Sequence, residues 1–220
     1  MLDRVLEPEV MDTHEDARDY NSMDHSHVNR VFVVDLLHFS NRLAGKVLDV
    51  GTGTALIPIE LCRAAEGFEV VALDAAQEML KLAQVNIDDA GLGTRIRTAL
   101  TDAKGLPFTD GSFAAVISNS IIHHIPEPFT VFKEMVRVTA IGGALFVRDL
   151  FRPPDLDTLN RIVDTYAAGA NPHQRQLFWD SLHAALTVEE VRDMVASLGF
   201  DPESVTATSD RHWTWAARRS

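Results

Sequence analysis

The chain has 220 residues, 46% hydrophobic and 24% charged, enough for one domain with a lid or arm and unlike a collagenous, low-complexity or wholly disordered protein. Its formal net charge of −12 repels phosphate backbones and anionic lipid surfaces, so no nucleic-acid partner is expected. The single cysteine, Cys62, excludes an internal disulfide and a cysteine-cluster metal site. An acidic N-terminus broken by Pro8, and the lack of any long apolar run, give the expectation of a cytoplasmic protein without a membrane span.

Residues 1–27 read as a polar arm, and apolar residues at helical spacing from Val28 predict a helix closed by Gly45. A short strand, KVLDV, is broken at once by GTGT, and the helix ALIPIELCRAAEG follows. FEVVALD predicts a second strand, AAQEMLKLAQVNIDDAG an amphipathic helix, TRIRTALTD a third strand and SFAAVISNS a fourth. EPFTVFKEMVRVTAIGG reads as a helix closed by glycines, and ALFVRDL as a fifth strand. Strict alternation of strand and helix is the pattern of right-handed crossovers on a parallel sheet. Residues 151–186 read as one or two helices around Asn171-Pro172, a helical lid insertion. Residues 187–220 read as a helix and a hairpin of two short strands. The expectation is therefore a single α/β domain over residues 1–220. Its core, 28–150, is doubly wound and Rossmann-like, with a mostly parallel seven-stranded sheet and an antiparallel strand from the C-terminal hairpin.

Gly51 and Gly53 follow a strand and precede a helix, where a backbone without side chains turns sharply and approaches a ligand closely. Asp74 ends the second strand, where a carboxylate accepts from the ribose hydroxyls of a nucleotide-like ligand. The third glycine of a dinucleotide fingerprint is replaced by Leu56, which disfavours NAD.

With VLDVGTGTA, VVALD followed by Met79, TDAKGLPFTDGSFAAVISN and IIHHIPEP, the chain resembles the class I S-adenosylmethionine-dependent methyltransferases, nearest the small-molecule branch that includes quinone-biosynthesis enzymes. The resemblance implies S-adenosylmethionine as cofactor and S-adenosylhomocysteine as product. It places Gly51, Thr52 and Gly53 beneath the methionine part of the cofactor and Asp49 toward its ammonium. Asp74 goes to the ribose, Ala75 and Met79 flank the adenine, Asp102 and the Ala103 amide read its edge, and Asn119 offers its carbonyl near the sulfonium. The chain departs from the family pattern at Ala55, where a third loop glycine is usual, and at Ala114, where an aspartate is usual.

His123 and His124, just beyond Asn119, are candidate general bases; the alternative is that one packs and one is exposed. Arg148 and Asp149, at the end of the fifth strand, either orient substrate or pair as surface charges. Trp179 is a candidate for an aromatic acceptor pocket, while Trp213 and Trp215, alternating on one strand, read first as packing. Tyr20 either closes over the cofactor or belongs to an unstructured tail. Asp24, His25 and His27 have a spacing that a metal can use, but no further ligands cluster with them, and no metal is expected. The reading is methyl transfer to a small molecule by a monomer or homodimer, with a non-catalytic cofactor-binding protein on the same fold as the alternative. An oxidoreductase is weakened by Leu56 and the absence of a Tyr-x-x-x-Lys pair. A nucleobase methyltransferase is weakened by Asn119-Ser120-Ile121 in place of an Asn-Pro-Pro-aromatic pattern.

Overall fold

A computed structural model describes residues 2–8, 12–22, 25–40 and 44–220. In chain order the strands are β1 (Gly45–Val50), β2 (Phe68–Asp74), β3 (Ile96–Leu100), β4 (Phe113–Asn119), β5 (Thr139–Leu150), β6 (Val205–Ala207) and β7 (His212–Arg218). The sheet order is β3-β2-β1-β4-β5-β7-β6. β1 pairs in parallel with β2 and β4, β2 in parallel with β3, and β6 with β7 antiparallel. The helices are α1 (His14–Ser22), α2 (Ser26–Ser40), α3 (Leu56–Ala64), α4 (Gln77–Asp89), α5 (Pro128–Val138), α6 (Leu156–Tyr166), α7 (Pro172–Ala184) and α8 (Val188–Ser197). The predicted seven-stranded, mostly parallel α/β sheet with a C-terminal hairpin is the observed one.

The chain forms two compact units. One holds residues 12–119, Thr130–Val147 and Ala216–Ser220, and the other residues 2–8, Ser120–Phe129 and Arg148–Trp215. In the first, the apolar runs of β1, β2 and β4 are buried, and Val47, Val70, Ala115 and Ile117 form one core with Phe32 and Leu36 of α2 and Leu61 of α3. Burial on both faces explains why these strands read as continuous apolar runs rather than alternating ones. In the second, Leu159, Ile162 and Val163 of α6 pack with Leu182 of α7 and Leu150. Asp155 caps α6 by accepting from the Thr158 amide, and capping boxes at Asn171/Gln174 and Thr187/Glu190 start α7 and α8.

The arm, read as ordered only where it docks on something, does dock: α1 forms within it and buries Ala17 against Ala76 and Met79. Asp12 also accepts from the Glu78 amide, capping α4, whose own N-cap residue Ala76 has no side-chain acceptor. The predicted helix through Gly143 stops at Val138 and β5 begins at Thr139, because the Gly142 amide donates to Arg219 O at 2.6 Å and the Arg219 amide to Gly143 O at 3.0 Å. Gly143 is fixed there by packing, since a Cβ would stand 2.8 Å from Ala140 O and 2.9 Å from Ala114 O. Arg148 and Asp149 are not surface charges: both are buried, and Arg148 Nε donates to Thr214 Oγ1 at 2.8 Å.

Candidate functional site

The order β3-β2-β1-β4 places the change of direction between β1 and β4, and in open parallel sheets the ligand crevice lies at the carboxyl edge of that point. A narrow cleft is found there, lined by Asp49 of β1, Gly51 and Thr52 of the loop after it, Asn119 of β4 and Tyr20 of α1. The loop is held in shape by backbone contacts: the Gly51 and Thr52 amides both donate to Leu73 O at 2.8 Å. Gly51 and Gly53 have φ of +73° and +55°, and Ala55, in the third glycine's place, also adopts the left-handed region with φ +62°. Asp74 closes the loop from β2, its Oδ2 accepting from the Gly53 amide at 2.7 Å and its Oδ1 from the Ala76 amide at 2.9 Å. Two acceptor positions per carboxylate oxygen leave Asp74 free to take further donors.

The cleft asks for a cation and for polar partners. Burial pushes the Asp49 carboxyl up to about 7, partly offset by the Thr52 hydroxyl and reinforced by Asp74. The Thr54 hydroxyl is buried without a hydrogen-bond partner. A zwitterionic amino-acid tail attached to adenosine supplies both needs, so the residues present fit S-adenosylmethionine. Tyr20 stands over the loop, with its ring 3.5 Å from where a Cβ on Gly53 would lie, and stacks on His25 at 4.6 Å. Burial and the two nearby aspartates push its phenol up to about 12, so Tyr20 is a neutral wall of the cleft.

Met79 is buried in the small cluster that Tyr20 packs against, and Ala75 is exposed beside it. Asp102 is exposed, accepts from the Lys104 amide at 2.9 Å and pairs with Lys104 Nζ at 3.2 Å, while Ala103 is buried. Asp102 and Ala103, like Gly53, Asp74, Ala75 and Met79, are not among the residues that line the cleft. Four lining residues were not foreseen: Asn29, Thr54, Leu56 and Ile57. Only Asn29 carried a signal, a buried polar residue on the apolar face of α2.

In the other unit, a 3₁₀ turn at Ile122–His124 carries both histidines into a ring of carboxylates. His123 Nδ1 lies 2.5 Å from Asp149 Oδ1, and Asp149 also accepts from the Ile122 and Leu150 amides. Glu7 Oε1 lies 3.6 Å from His123 Nε2 and 3.1 Å from His124 Nδ1. Burial works against protonation of His123, but Asp149 and then Glu7 outweigh it and its pKa is raised. Burial and the neighbouring His123 hold His124 near 3. Trp179 is half-buried, donates to Asn160 Oδ1 at 3.1 Å and meets the His183 ring edge-on at 4.9 Å. Trp213 and Trp215 are fully buried, as packing predicts. Of the metal-type spacing in the arm, Asp24 lies outside the described residues and His27 is exposed.

A family described as a methyltransferase domain matches residues 48–147. The chain is 31% identical over 165 residues to the demethylmenaquinone methyltransferase of Thermus thermophilus, covering 70% of this chain and 74% of that protein. It is 27% identical over 172 residues to the ubiquinone/menaquinone biosynthesis C-methyltransferase of Proteus mirabilis, covering 73% and 68%. The chain spans about half the length of several further curated relatives it matches. Among solved structures, the plantazolicin methyltransferase BamL, in complex with S-adenosylhomocysteine, superposes with a TM-score of 0.72 at 14% identity, covering 94% of this chain and 91% of that one.

Proposed function

We propose, from the premise that the chain belongs to the class I S-adenosylmethionine-dependent methyltransferases, that it methylates a small aromatic acceptor of the hydroquinone type. The observation that carries the cofactor half is the cleft, with a buried Asp49 poised near neutrality and an orphaned Thr54 hydroxyl beside a glycine loop tied to Asp74. The acceptor half is supported by relatives named for ubiquinone and menaquinone biosynthesis.

When bound, S-adenosylmethionine supplies an activated sulfonium methyl, so alignment and exclusion of water are the main tasks left to the protein. Asp49 neutralises the ammonium, Gly51, Thr52 and Gly53 let the backbone approach the tail, and Asp74 takes the ribose hydroxyls. Met79 and Ala75 flank the adenine, Asp102 and Ala103 read its edge, and Asn119 presents its carbonyl at the methyl-transfer end. Tyr20 covers the loop. The proton that the hydroquinone gives up as the methyl arrives passes to solvent, and no side chain is assigned to take it. His123, bracketed by two carboxylates, and His124 beside it stand outside this reading, and Asp149 is a positioning residue for His123 rather than a substrate contact.

No helix among the described residues is long and apolar enough to cross a membrane, and with the acidic charge this supports a cytoplasmic enzyme acting on metabolites rather than nucleic acid. The test is transfer of labelled methyl from S-adenosylmethionine to a panel of hydroquinones, catechols and amines. Labelled hydroquinone is the expected product. No labelled product of any class from a protein that binds S-adenosylhomocysteine would instead favour the non-catalytic reading.

A further inference from the structure

We propose that Glu7, His123 and His124 form a binding site for one divalent transition-metal ion of the zinc type, which fastens the N-terminal segment to the turn after β4. The donor atoms of these three side chains all lie within 4.8 Å of one another. Two of the separations, 3.1 Å for Glu7 Oε1 to His124 Nδ1 and 3.6 Å for Glu7 Oε1 to His123 Nε2, bracket the value of about 3.3 Å that a tetrahedral ion with bonds of about 2.0–2.1 Å imposes on its ligands. Two histidines and one carboxylate are a donor set for zinc or ferrous iron, with one position left for water or a substrate oxygen.

Two independent observations support a ligand here. Glu7 Oε1 and His124 Nδ1 are both buried and neither makes a hydrogen bond, although they face each other. Buried polar atoms without partners are costly, and a shared cation satisfies both at once. In addition, the far nitrogen of His123 is held by Asp149, itself fixed by three backbone amides, those of Ile122, His123 and Leu150. A carboxylate behind a histidine is the usual second layer of a zinc ligand, setting the tautomer so that Nε2 presents its lone pair.

The chain also invests in bringing the third ligand. Residues 2–8 have no helix or strand of their own. Arg4 fastens them to the histidine turn, donating to His123 O at 3.1 Å, Ile125 O at 2.9 Å, Pro126 O at 3.3 Å and Ala184 O at 2.7 Å. Glu7 Oε2 takes the Ser181 hydroxyl at 3.4 Å, which leaves Oε1 for the ion. The sequence-based expectation of no metal rests on Asp24, His25 and His27, which have no further ligands beside them; Glu7 lies more than a hundred positions from His123 and His124, and only the folded chain brings these three together.

The test is titration of the full chain with Zn²⁺ alone by calorimetry, with Co²⁺ absorption to report coordination. One ion per chain, a four-coordinate Co²⁺ spectrum and a Zn²⁺-dependent rise in Tm are expected. Glu7→Gln and His124→Gln should each weaken Zn²⁺ at least about 10-fold. Arg4→Met should weaken it without removing a ligand, and His27→Gln, an exposed histidine of the arm, should leave it unchanged. Circular dichroism and S-adenosylhomocysteine affinity on the same samples show that each variant is folded and separate this result from the cofactor reading. Absence of one-to-one binding tighter than about 10 µM, or binding that survives both Glu7→Gln and His124→Gln, overturns the proposal.

Discussion

Replacing Asp49 by Asn separates two consequences of one buried carboxyl. Its pKa stands near 7 against an ordinary 3.8, with burial as the largest cause. A carboxyl whose folded-state pKa lies above its unfolded value keeps its proton on folding, so the folded chain holds more protons between those two pH values. Stability is therefore lost as pH rises from about 4 to about 7, by about 4 kcal/mol at about 1.4 kcal/mol per unit, and stays reduced above that. Asp49→Asn, which removes the charge and keeps the shape, should raise the stability of the ligand-free protein at pH 8 by a large part of that amount and leave it little changed at pH 4. Cofactor binding should respond in the opposite sense. If the ionised carboxylate receives the cofactor ammonium, affinity follows the ionised fraction, from about 3% at pH 5.5 to about 76% at pH 7.5, a gain of about 25-fold. Asp74 shares the neighbourhood and is also raised by burial, so the quantity to read is the difference between the two proteins. Calorimetry with S-adenosylhomocysteine across this range should show the gain in the parent chain and a flat profile in Asp49→Asn. Parallel profiles in the two would refute the assignment of Asp49 to the ammonium.

Asp74→Ala should weaken S-adenosylhomocysteine by about 1.5–3 kcal/mol through loss of charged hydrogen bonds, read by calorimetry. It should also lower Tm, because the Gly53 and Ala76 amides lose their acceptor. Gly53→Val should be the more damaging to binding, since it places a branched side chain at φ +55° with its Cβ 3.5 Å from the Tyr20 ring. Unchanged affinity in a folded Gly53→Val protein would remove the loop from the site.

The centre of the sheet was legible because β1, β2 and β4 are largely buried and so read as unbroken apolar runs between glycine and polar breaks; β2 was read to the residue. The glycine loop and Asp74 were legible for the same reason, since their meaning depends on position relative to a strand end. What the sequence hid depended on distant partners. Among the described residues of α1, Ala17 and Tyr20 join the apolar cluster with α4, too little to fold alone, and α1 forms because α4 receives it. The start of β5 was set by Arg219, far along the chain, against glycines that locally read as a helix stop. The divided fate of the arm, with Tyr20 lining the cleft and Glu7 among the histidines, has no local signature, because neither residue sits in a periodic pattern. Asp149 was seen as a strand-end charge, but its task of holding His123 depends on a turn whose shape the letters IIHH do not specify.

Parallel calorimetric titration of the full chain with S-adenosylmethionine, S-adenosylhomocysteine and NAD at pH 7.5 tests the cofactor site most directly. One-to-one micromolar binding of both sulfur compounds, weakened in Asp74→Ala, and no binding of NAD are expected. Tight NAD binding with none of S-adenosylmethionine would contradict the cofactor assignment.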